Sequence, residues 1–453
     1  MLNVPWISVG LDPDAWRMLL TAKHIAVNHT YAASRLPGYP IPEFMFSLVA
    51  SDPAWVPLAM TFIVSCLGFL CFYFLVETLR FPDPALITAA FACVPVVLIN
   101  SMAAMDYMWA MTFILASFYA AAKQWFTFAG ILLGVAVGCR LTSGAMLAPL
   151  LLLAATSTNE LSLRRRRLIT LCAGAFVVSL ACYVPVLQKY GLGMFSFVSP
   201  GERSLMFVIK TVAFDTFGIV GTCALVVASF LALAGNVPYV PPVGKARVWS
   251  TACLFVIGLY AAAFAILPAE AAYLIPLIPF LLLLSMFVMP RPLFRLVAYG
   301  CILSSFLVSV DATDRPWSVG TSPLSAEVHF AGRTLSVDVL RGPLMMDWMK
   351  RQSQLEYGAS ILRWARGHRS RAVLVVGFWE PMLAFASDGT YTEELEDRIT
   401  HGWVALVGFL DKESAARYKR AGYEFYHLTG QDAYNLRVYG VDLGALESKE
   451  VIP

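Results

Sequence analysis

The chain has 453 residues, of which 58% are hydrophobic and 14% are charged. A soluble domain carries about 25% charged residues, so this composition excludes an ordinary soluble protein and indicates a membrane protein. The formal net charge of +3 is too small for a nucleic-acid-binding surface, and no basic stripe accompanies it, so nucleic acid is excluded as a partner.

Residues 1–54 precede the first apolar run and are too polar to span a membrane. Within them, "DAWRMLLTAKHIAVN" (14–28) is amphipathic, which predicts a helix lying in the membrane interface. Asp12 and Asp14 stand at its start, where a carboxylate can act as a general base or help to hold a divalent cation. Alternatively, Asp14 serves only as the N-cap of a helix that begins at Ala15.

The next segment, "SRLPGYPIPEF" (34–44), contains three prolines and a glycine, which predict a fixed, irregular conformation. It carries Arg35 and Glu43, and a positioned guanidinium group suits a phosphate. The alternative is a structured connector between two interfacial helices.

Ten apolar runs follow, several of them shorter than the roughly 20 residues that a full span needs. The block 107–157 allows two interpretations, three short helices or two long helices with a break at "GCRLTSG" (138–144). The runs lie at 55–77, 85–104, 107–122, 125–138, 142–157, 168–187, 212–234, 248–267, 273–289 and 294–310.

The run "LRRRRL" (163–168) predicts a cytoplasmic loop, because loops rich in Lys and Arg stay on that side. If 107–157 makes three spans, the same parity places residues 1–50, and everything after about 311, outside. We therefore expect a polytopic α-helical membrane domain over 1–311 and an extracytoplasmic domain over 312–453. Other basic residues then also lie in cytoplasmic loops: Arg80, Lys123, Lys245, Arg247, Arg291 and Arg295.

Polar residues interrupt the apolar part at a few positions. On the three-span count, Asp106 and Arg140 lie on the same outer side as Asp12 and Asp14. An acid at a helix N-terminus is favourable by itself, and an arginine near a span end can extend to the interface. A charge inside an apolar stretch is nevertheless a functional hypothesis by default.

Two further interruptions follow. Lys210 and Asp215 fit a mutual ion pair as well as a site. In "LPAEAAYLIPLIPFLLLL" (267–284), Glu270 and Tyr273 lie in a short outer loop, where Tyr273 can also be an interfacial anchor.

The C-terminal part has the pattern of a small α/β domain. Residues 342–368 have helical periodicity, and "KESAARYKRAG" (412–422) predicts a helix ending at Gly422. The segment contains no GxGxxG motif and no P-loop, so nothing marks it as a nucleotide binder. Four segments predict strands: "RAVLVVGFW" (371–379), "WVALVGFLD" (403–411), "YEFYHL" (423–428) and "LRVYGV" (436–441).

The order of five motifs resembles the GT-C superfamily, which comprises integral-membrane glycosyltransferases that use polyprenyl-phosphate-linked sugars, such as the protein mannosyltransferase and aminoarabinose transferase types. The resemblance covers about residues 1–310. The motifs are the acidic first loop, "SRLPGYP", the second-loop aspartate, "LGVAVGCRLTSGAMLAPLLLL" and "EAAYLIPLIPF".

The resemblance implies transfer of a sugar, with inversion, from a polyprenyl-phosphate donor to an extracytoplasmic glycan, lipid or protein acceptor. It implies Asp12 or Asp14 and Asp106 as catalytic acids, and Asp14 and Asp106 are also candidates for holding Mg²⁺ or Mn²⁺. It also implies a multi-pass protein of the bacterial inner membrane, with the C-terminal domain in the periplasm. Five residues are candidates for donor binding: Arg35, Tyr39, Arg140, Glu270 and Tyr273.

The sequence departs from the family pattern twice. Ala272 stands where family members often have a basic residue, and the helix that precedes the first acidic loop in relatives is missing. We interpret the latter as a start codon placed downstream of the true one. The alternative functions are a lipid or sugar transporter or flippase, and an assembly protein with a degenerate site.

Overall fold

The computed structural model describes most of the chain, in both its helical part and its C-terminal part. The described residues are 8–196, 205–234, 244–268, 270–312, 322–330, 333–392, 395, 397, 399, 402–428, 441 and 444–451.

The N-terminal two thirds of the chain are helical. Short 3₁₀ turns at Leu141–Met146, Gly191–Phe195 and Ala271–Leu277 adjoin these helices, and a π-helical turn covers Thr211–Thr216. The α-helices are α1 (Pro13–Asn28), α2 (Pro40–Ser47), α3 (Trp55–Thr78), α4 (Pro84–Ala92), α5 (Pro95–Asn100), α6 (Tyr107–Ala122), α7 (Phe126–Cys139), α8 (Leu147–Thr156), α9 (Leu161–Tyr190), α10 (Leu205–Lys210), α11 (Gly218–Ala234), α12 (Lys245–Ile266), α13 (Ile278–Val288) and α14 (Arg291–Ser304).

The number of helices that are long enough to cross a membrane is smaller than the number of apolar runs, which is ten. Within the described residues, four helical segments have the necessary length and apolar composition: Trp55–Thr78, Leu161–Phe195, Lys245–Ile266 and Ala271–Val288. A fifth arises if Phe207–Thr216 and Gly218–Ala234, which meet at 95°, form one broken span. The expectation of about ten spans is therefore corrected to four or five.

Breaks in the backbone explain the correction. Pro95 begins α5 and divides the run 85–104 into two short helices, because proline cannot donate the hydrogen bond that a continuous helix needs there. The block 107–157 forms three helical segments, as one of the two interpretations predicted, with Arg140 in an extended conformation between the second and third. The run 294–310 is also divided, because α14 ends at Ser304 and a strand begins at Ser309.

Polar residues gather at the two ends of this helical bundle. At one end, Arg291 and Arg295 both donate to the carboxylate of Asp83. Helix α6 begins next to Asp106 and extends for 16 residues, or roughly 24 Å, so Asp106 lies at the opposite end from Gln124, which follows α6.

Within the described residues, the C-terminal part contains two sheets and three α-helices. Strands β1, β2 and β3 form an antiparallel sheet in the order β1-β3-β2, and β4 to β7 form a parallel sheet in the order β5-β4-β6-β7. The elements are β1 (Ser309–Ala312), β2 (Ser325–Phe330), β3 (Arg333–Asp338), α15 (Pro343–Gly367), β4 (Ala372–Val375), α16 (Glu380–Ser387), β5 (Val404–Val407), α17 (Lys412–Arg420), β6 (Glu424–Leu428) and β7 (Lys449–Val451).

The parallel sheet confirms the predicted α/β unit, since β4, β5, β6 and the helices α15 and α17 fall where the sequence placed them. Strands β4 and β5 are buried along their whole length, as continuous apolar runs predict. The antiparallel sheet was not predicted. The predicted strand over 436–441 lies outside the described residues, apart from Val441.

Helix α16 packs directly on α1, the helix that follows Asp12. The rings of Trp16 and Phe385 lie 5.6 Å apart, and the ammonium group of Lys23 lies 4.1 Å from the centre of the Phe385 ring. Trp16 is fully buried. One face of the predicted interfacial helix is therefore covered by the α/β unit.

Candidate functional site

The first two loops on the outer side of the predicted topology are joined to each other. The Ala104 amide donates to the Val9 carbonyl oxygen at 2.9 Å. This contact brings the segment before α1 next to the segment before α6. The acids at the starts of both helices consequently lie in one region.

Asp12, not Asp14, caps α1. The Asp12 carboxylate accepts a hydrogen bond of 2.8 Å from the Asp14 amide, which is the N-cap arrangement. Asp14 lies in the first turn, where its carboxylate accepts from Arg17 at 3.0 Å and pairs closely with Arg35. The alternative of Asp14 as the N-cap is therefore wrong.

Arg35 joins the two acidic loops. Its guanidinium group pairs with Asp14 through Nη1 and donates to Asp106 through Nη2 at 2.9 Å. The second carboxylate oxygen of Asp106 accepts from Arg140. Asp106 is fully buried, so its charge is balanced by two arginines from different parts of the chain. Asp106 therefore has two arginine partners in addition to its position at the start of α6.

Three tyrosines surround the two arginines. The Arg35 Nε–H donates to the Tyr39 hydroxyl at 2.8 Å. The Arg140 guanidinium carbon lies 4.2 Å from the centre of the Tyr107 ring and 5.0 Å from that of Tyr273. Cation–π contacts of this kind favour a desolvated guanidinium group. Arg140 is thus largely buried between Asp106 and aromatic rings.

A third carboxylate joins the first loop. Carboxylate oxygens of Asp12, Asp14 and Glu270 lie within 4.8 Å of one another, which suits a shared divalent cation. Glu270 accepts a hydrogen bond of 2.7 Å from the Tyr107 hydroxyl. The sequence had grouped Asp14 with Asp106 for this role. The structure instead groups Asp14 with Asp12 and Glu270, and Asp106 is not part of that group.

Burial and the neighbouring acids both act on Asp12. Burial, followed by the nearby charges of Glu270 and Asp14, raises the pKa of Asp12 to about 8. An acid with this pKa exchanges its proton near neutral pH. It can therefore accept a proton from a hydroxyl group and release it again.

A buried carboxylate shapes the segment that carries Arg35 and Tyr39. Glu43 is fully buried, and burial raises its pKa. Its oxygens accept hydrogen bonds from the Tyr31 hydroxyl, the Ser34 amide and hydroxyl, and the Tyr39 amide. The segment is thus both the predicted connector and a scaffold for Arg35.

Most of the predicted site residues lie close together, but one predicted pair lies elsewhere. Lys210 and Asp215 form their own ion pair at 3.1 Å, as the simpler alternative proposed. The sequence interpretation missed Arg17 and Tyr107 as neighbours of the acids, and Glu43 as an organising group. The signal for Tyr107 was its position directly after Asp106. The converging predicted residues are Asp12, Asp14, Asp106, Arg35, Tyr39, Arg140, Glu270 and Tyr273.

An apolar cavity of about 760 Å³ lies beside this segment. Its lining includes Tyr31, Pro40 and Ile41, and it extends to Phe44 and Leu48, whose side chains are exposed. An apolar cavity that continues into exposed apolar side chains suits a hydrocarbon chain.

Comparison with protein families, with curated proteins and with solved structures finds no match for this chain.

Proposed function

We propose that the protein is a membrane glycosyltransferase that moves a sugar from a polyprenyl-phosphate donor to a hydroxyl group of an acceptor on the outer side of the membrane. The observation that carries this proposal is the bridge from Asp14 through Arg35 to Asp106, which Arg140 extends. It joins acids and cations from separate loops at one end of apolar helices. A GT-C-like fold and an inner-membrane location belong to the same proposal.

The two buried arginines are the candidate phosphate ligands. A guanidinium group has five N–H donors. Arg140 gives one of them to Asp106, while Arg35 already serves Asp14, Asp106 and Tyr39. Arg140 is therefore the better placed of the two to accept a phosphate. The Arg140 guanidinium group also lies over the Tyr273 ring. It would therefore take the place of the basic residue that family members often have at the position of Ala272.

The apolar cavity would hold the first isoprenoid units of the donor. Its lining includes Pro40, next to Tyr39, together with Phe44 and Leu48. The phosphate would then lie on the arginine side of the segment and the lipid on the other. This arrangement matches a donor whose charged and hydrocarbon parts need separate environments.

Asp12 is the best candidate for the base. Its raised pKa suits proton transfer near neutral pH, whereas Asp14 is held by two guanidinium groups. In the proposed step, the acceptor hydroxyl gives its proton to Asp12, and its oxygen attacks the anomeric carbon. The bond from that carbon to the phosphate oxygen breaks, the electron pair stays on the phosphate, and the configuration inverts.

The acidic group fits a divalent cation, Mg²⁺ or Mn²⁺, held by Asp12, Asp14 and Glu270. When bound, such an ion would stabilise negative charge on the phosphate. The charges of the protein support this idea. With Asp12 ionised, four carboxylates face three guanidinium groups, so a divalent cation would offset the excess negative charge to which an incoming phosphate adds. The carboxylates are Asp12, Asp14, Asp106 and Glu270, and the guanidinium groups are those of Arg17, Arg35 and Arg140.

The test is release of polyprenyl phosphate by purified protein in nanodiscs, with donors carrying a hexose, a pentose or an aminopentose and a mixture of acceptor glycans, lipids and peptides. Wild type and Asp52→Asn, which changes an exposed acid of the same outer segment, should release it equally, and Asp12→Asn should not. Release that is unaffected by Asp12→Asn would refute the assignment. Movement of a fluorescent donor lipid across the bilayer without cleavage would instead support a flippase.

A further inference from the structure

We propose that helix α15 of the α/β unit holds the two acid-bearing loops of the site at a fixed separation, with Gln354 and Arg351 as positioning residues. The catalytic consequence rests on the proposed function, whereas the structural part does not.

Gln354 attaches α15 to the first loop. Its amide Nε2–H donates to the Leu11 carbonyl oxygen at 3.1 Å, directly before Asp12. Its amide oxygen accepts from the Ser8 hydroxyl at 3.3 Å, and Ser8 is buried. One side chain therefore binds both ends of the short segment that leads into the N-cap of α1.

Arg351 attaches the same helix to the second loop. Its Nη1 donates to the Met102 carbonyl oxygen at 2.7 Å, and its Nη2 lies 3.5 Å from the Ile99 carbonyl oxygen. Asp347, one turn earlier on α15, orients the guanidinium group through a contact of 2.7 Å to Nε. Arg351 is buried, and truncating it would leave these two carbonyl oxygens without its N–H donors.

The two attachments act on a common unit. Residues 351 and 354 are three apart on α15 and so lie on one face of the helix. The loops that they hold are joined to each other through Ala104 and Val9. Asp12 and Asp106 begin the helices that follow these loops, so a rigid α15 fixes the distance between the proposed base and the arginine-binding acid. Precise placement of this kind is worth about 100-fold in rate for a displacement of roughly 1 Å.

The experiment measures hydrogen exchange of the full chain in nanodiscs, together with kcat and KM for the donor. Gln354→Ala should speed exchange in residues 8–16, and Arg351→Met should speed it in 99–106. Each should lower kcat by about tenfold to 100-fold with little change in KM. Arg351→Lys, which keeps one cationic donor, should restore part of the loss.

Two variants on the same helix serve as matched controls. Gln352→Ala changes the same residue type on a different face, and Arg363→Ala removes an exposed arginine. Neither should alter exchange in the loops.

Unchanged exchange in both loops of the Gln354→Ala/Arg351→Met double variant would overturn the proposal, and so would faster exchange spread evenly over the whole α/β unit. Loosened loops with unchanged kcat would overturn the catalytic consequence. If the loops loosen as expected and wild type cleaves no donor, the proposed function fails while the attachment stands.

Discussion

The guanidinium group of Arg35 donates to the carboxylate of Asp106 at 2.9 Å, although 71 residues separate them in the chain. Arg35 also pairs with Asp14, so a single side chain connects the first acidic loop to the second. Asp106 is fully buried, and a charge in that position needs its partners.

A double-mutant cycle measures this connection. Arg35→Met, Asp106→Asn and the double variant should give a coupling energy of about 2 kcal/mol in the free energy of unfolding in detergent, because each single change leaves a buried charge with fewer partners. The same cycle on Lys210 and Asp215, whose side chains are 42% and 38% exposed, should give less than about 1 kcal/mol. Equal values for the two pairs would contradict the interpretation.

Asp12 should impose a pH dependence on activity. Its pKa is raised to about 8, so it is protonated at pH 7 and becomes a base as the pH rises through 8. Without added divalent cation, donor cleavage by wild type should increase over that interval, and Asp12→Asn should lower it by about 100-fold or more. Asp52→Asn is the control. A flat profile in wild type would remove Asp12 from the role of base.

The raised pKa of Asp12 also determines whether its contribution to stability rises or falls with pH. The folded protein keeps the Asp12 proton up to about pH 8, whereas the unfolded chain releases it near 3.8. Between these values the folded state binds more protons, so the contribution of Asp12 to stability falls as the pH rises. Asp12→Asn should therefore make the melting temperature less sensitive to pH between about 4 and 8 than it is in wild type. Melting curves at several pH values check this.

Binding of Mn²⁺ should compete with that proton. A cation held by Asp12, Asp14 and Glu270 needs ionised ligands, so its affinity should increase as the pH rises towards 8. Glu270→Gln should weaken binding by about tenfold or more, because it removes a charged ligand. Glu77→Gln, at an exposed position of α3, is the matched control, and electron paramagnetic resonance of Mn²⁺ measures the free ion. Affinity that is independent of pH and of Glu270 would exclude this ion site.

Glu43 should be essential for the shape of the segment that carries Arg35. Four donors point at its carboxylate, and in Glu43→Gln the amide group would face some of them with hydrogen atoms. We expect a loss of about 1–3 kcal/mol in stability and reduced activity. Thermal unfolding and the donor-cleavage assay test both, against Glu77→Gln. A variant as stable and active as wild type would show that the segment is fixed by other contacts.

The proposed orientation predicts which positions an impermeant thiol reagent reaches in intact cells. In a Cys223→Ser background, which removes an exposed native thiol, Asp52→Cys and Glu356→Cys should react from outside. Asn159→Cys, in the loop before the arginine run, should react only after the cells are opened. Labelling of Asn159→Cys in intact cells would reverse the topology.

Local chemistry determined most of the helices, three strands of the α/β unit and the choice of candidate site residues. Apolar runs predict helices wherever they occur, and polar residues that interrupt them at a cost are expected to cluster. Asp106 and Arg140 could therefore be selected before any contact was known. The two strands 372–375 and 404–407 could be predicted equally well, because a short continuous apolar run between polar turns is typical of a buried strand.

Tertiary structure decided which of these residues contact one another. Sequence spacing cannot show that Arg35 reaches both Asp14 and Asp106, that Glu270 completes the acidic group, or that α15 holds two loops more than 240 residues away. Those pairings depend on how helices pack, and packing sums many weak contacts between residues distant in the chain. The number of long helices was decided in the same way, since a break at Pro95 or Arg140 is tolerated only where neighbouring groups bind the freed polar atoms.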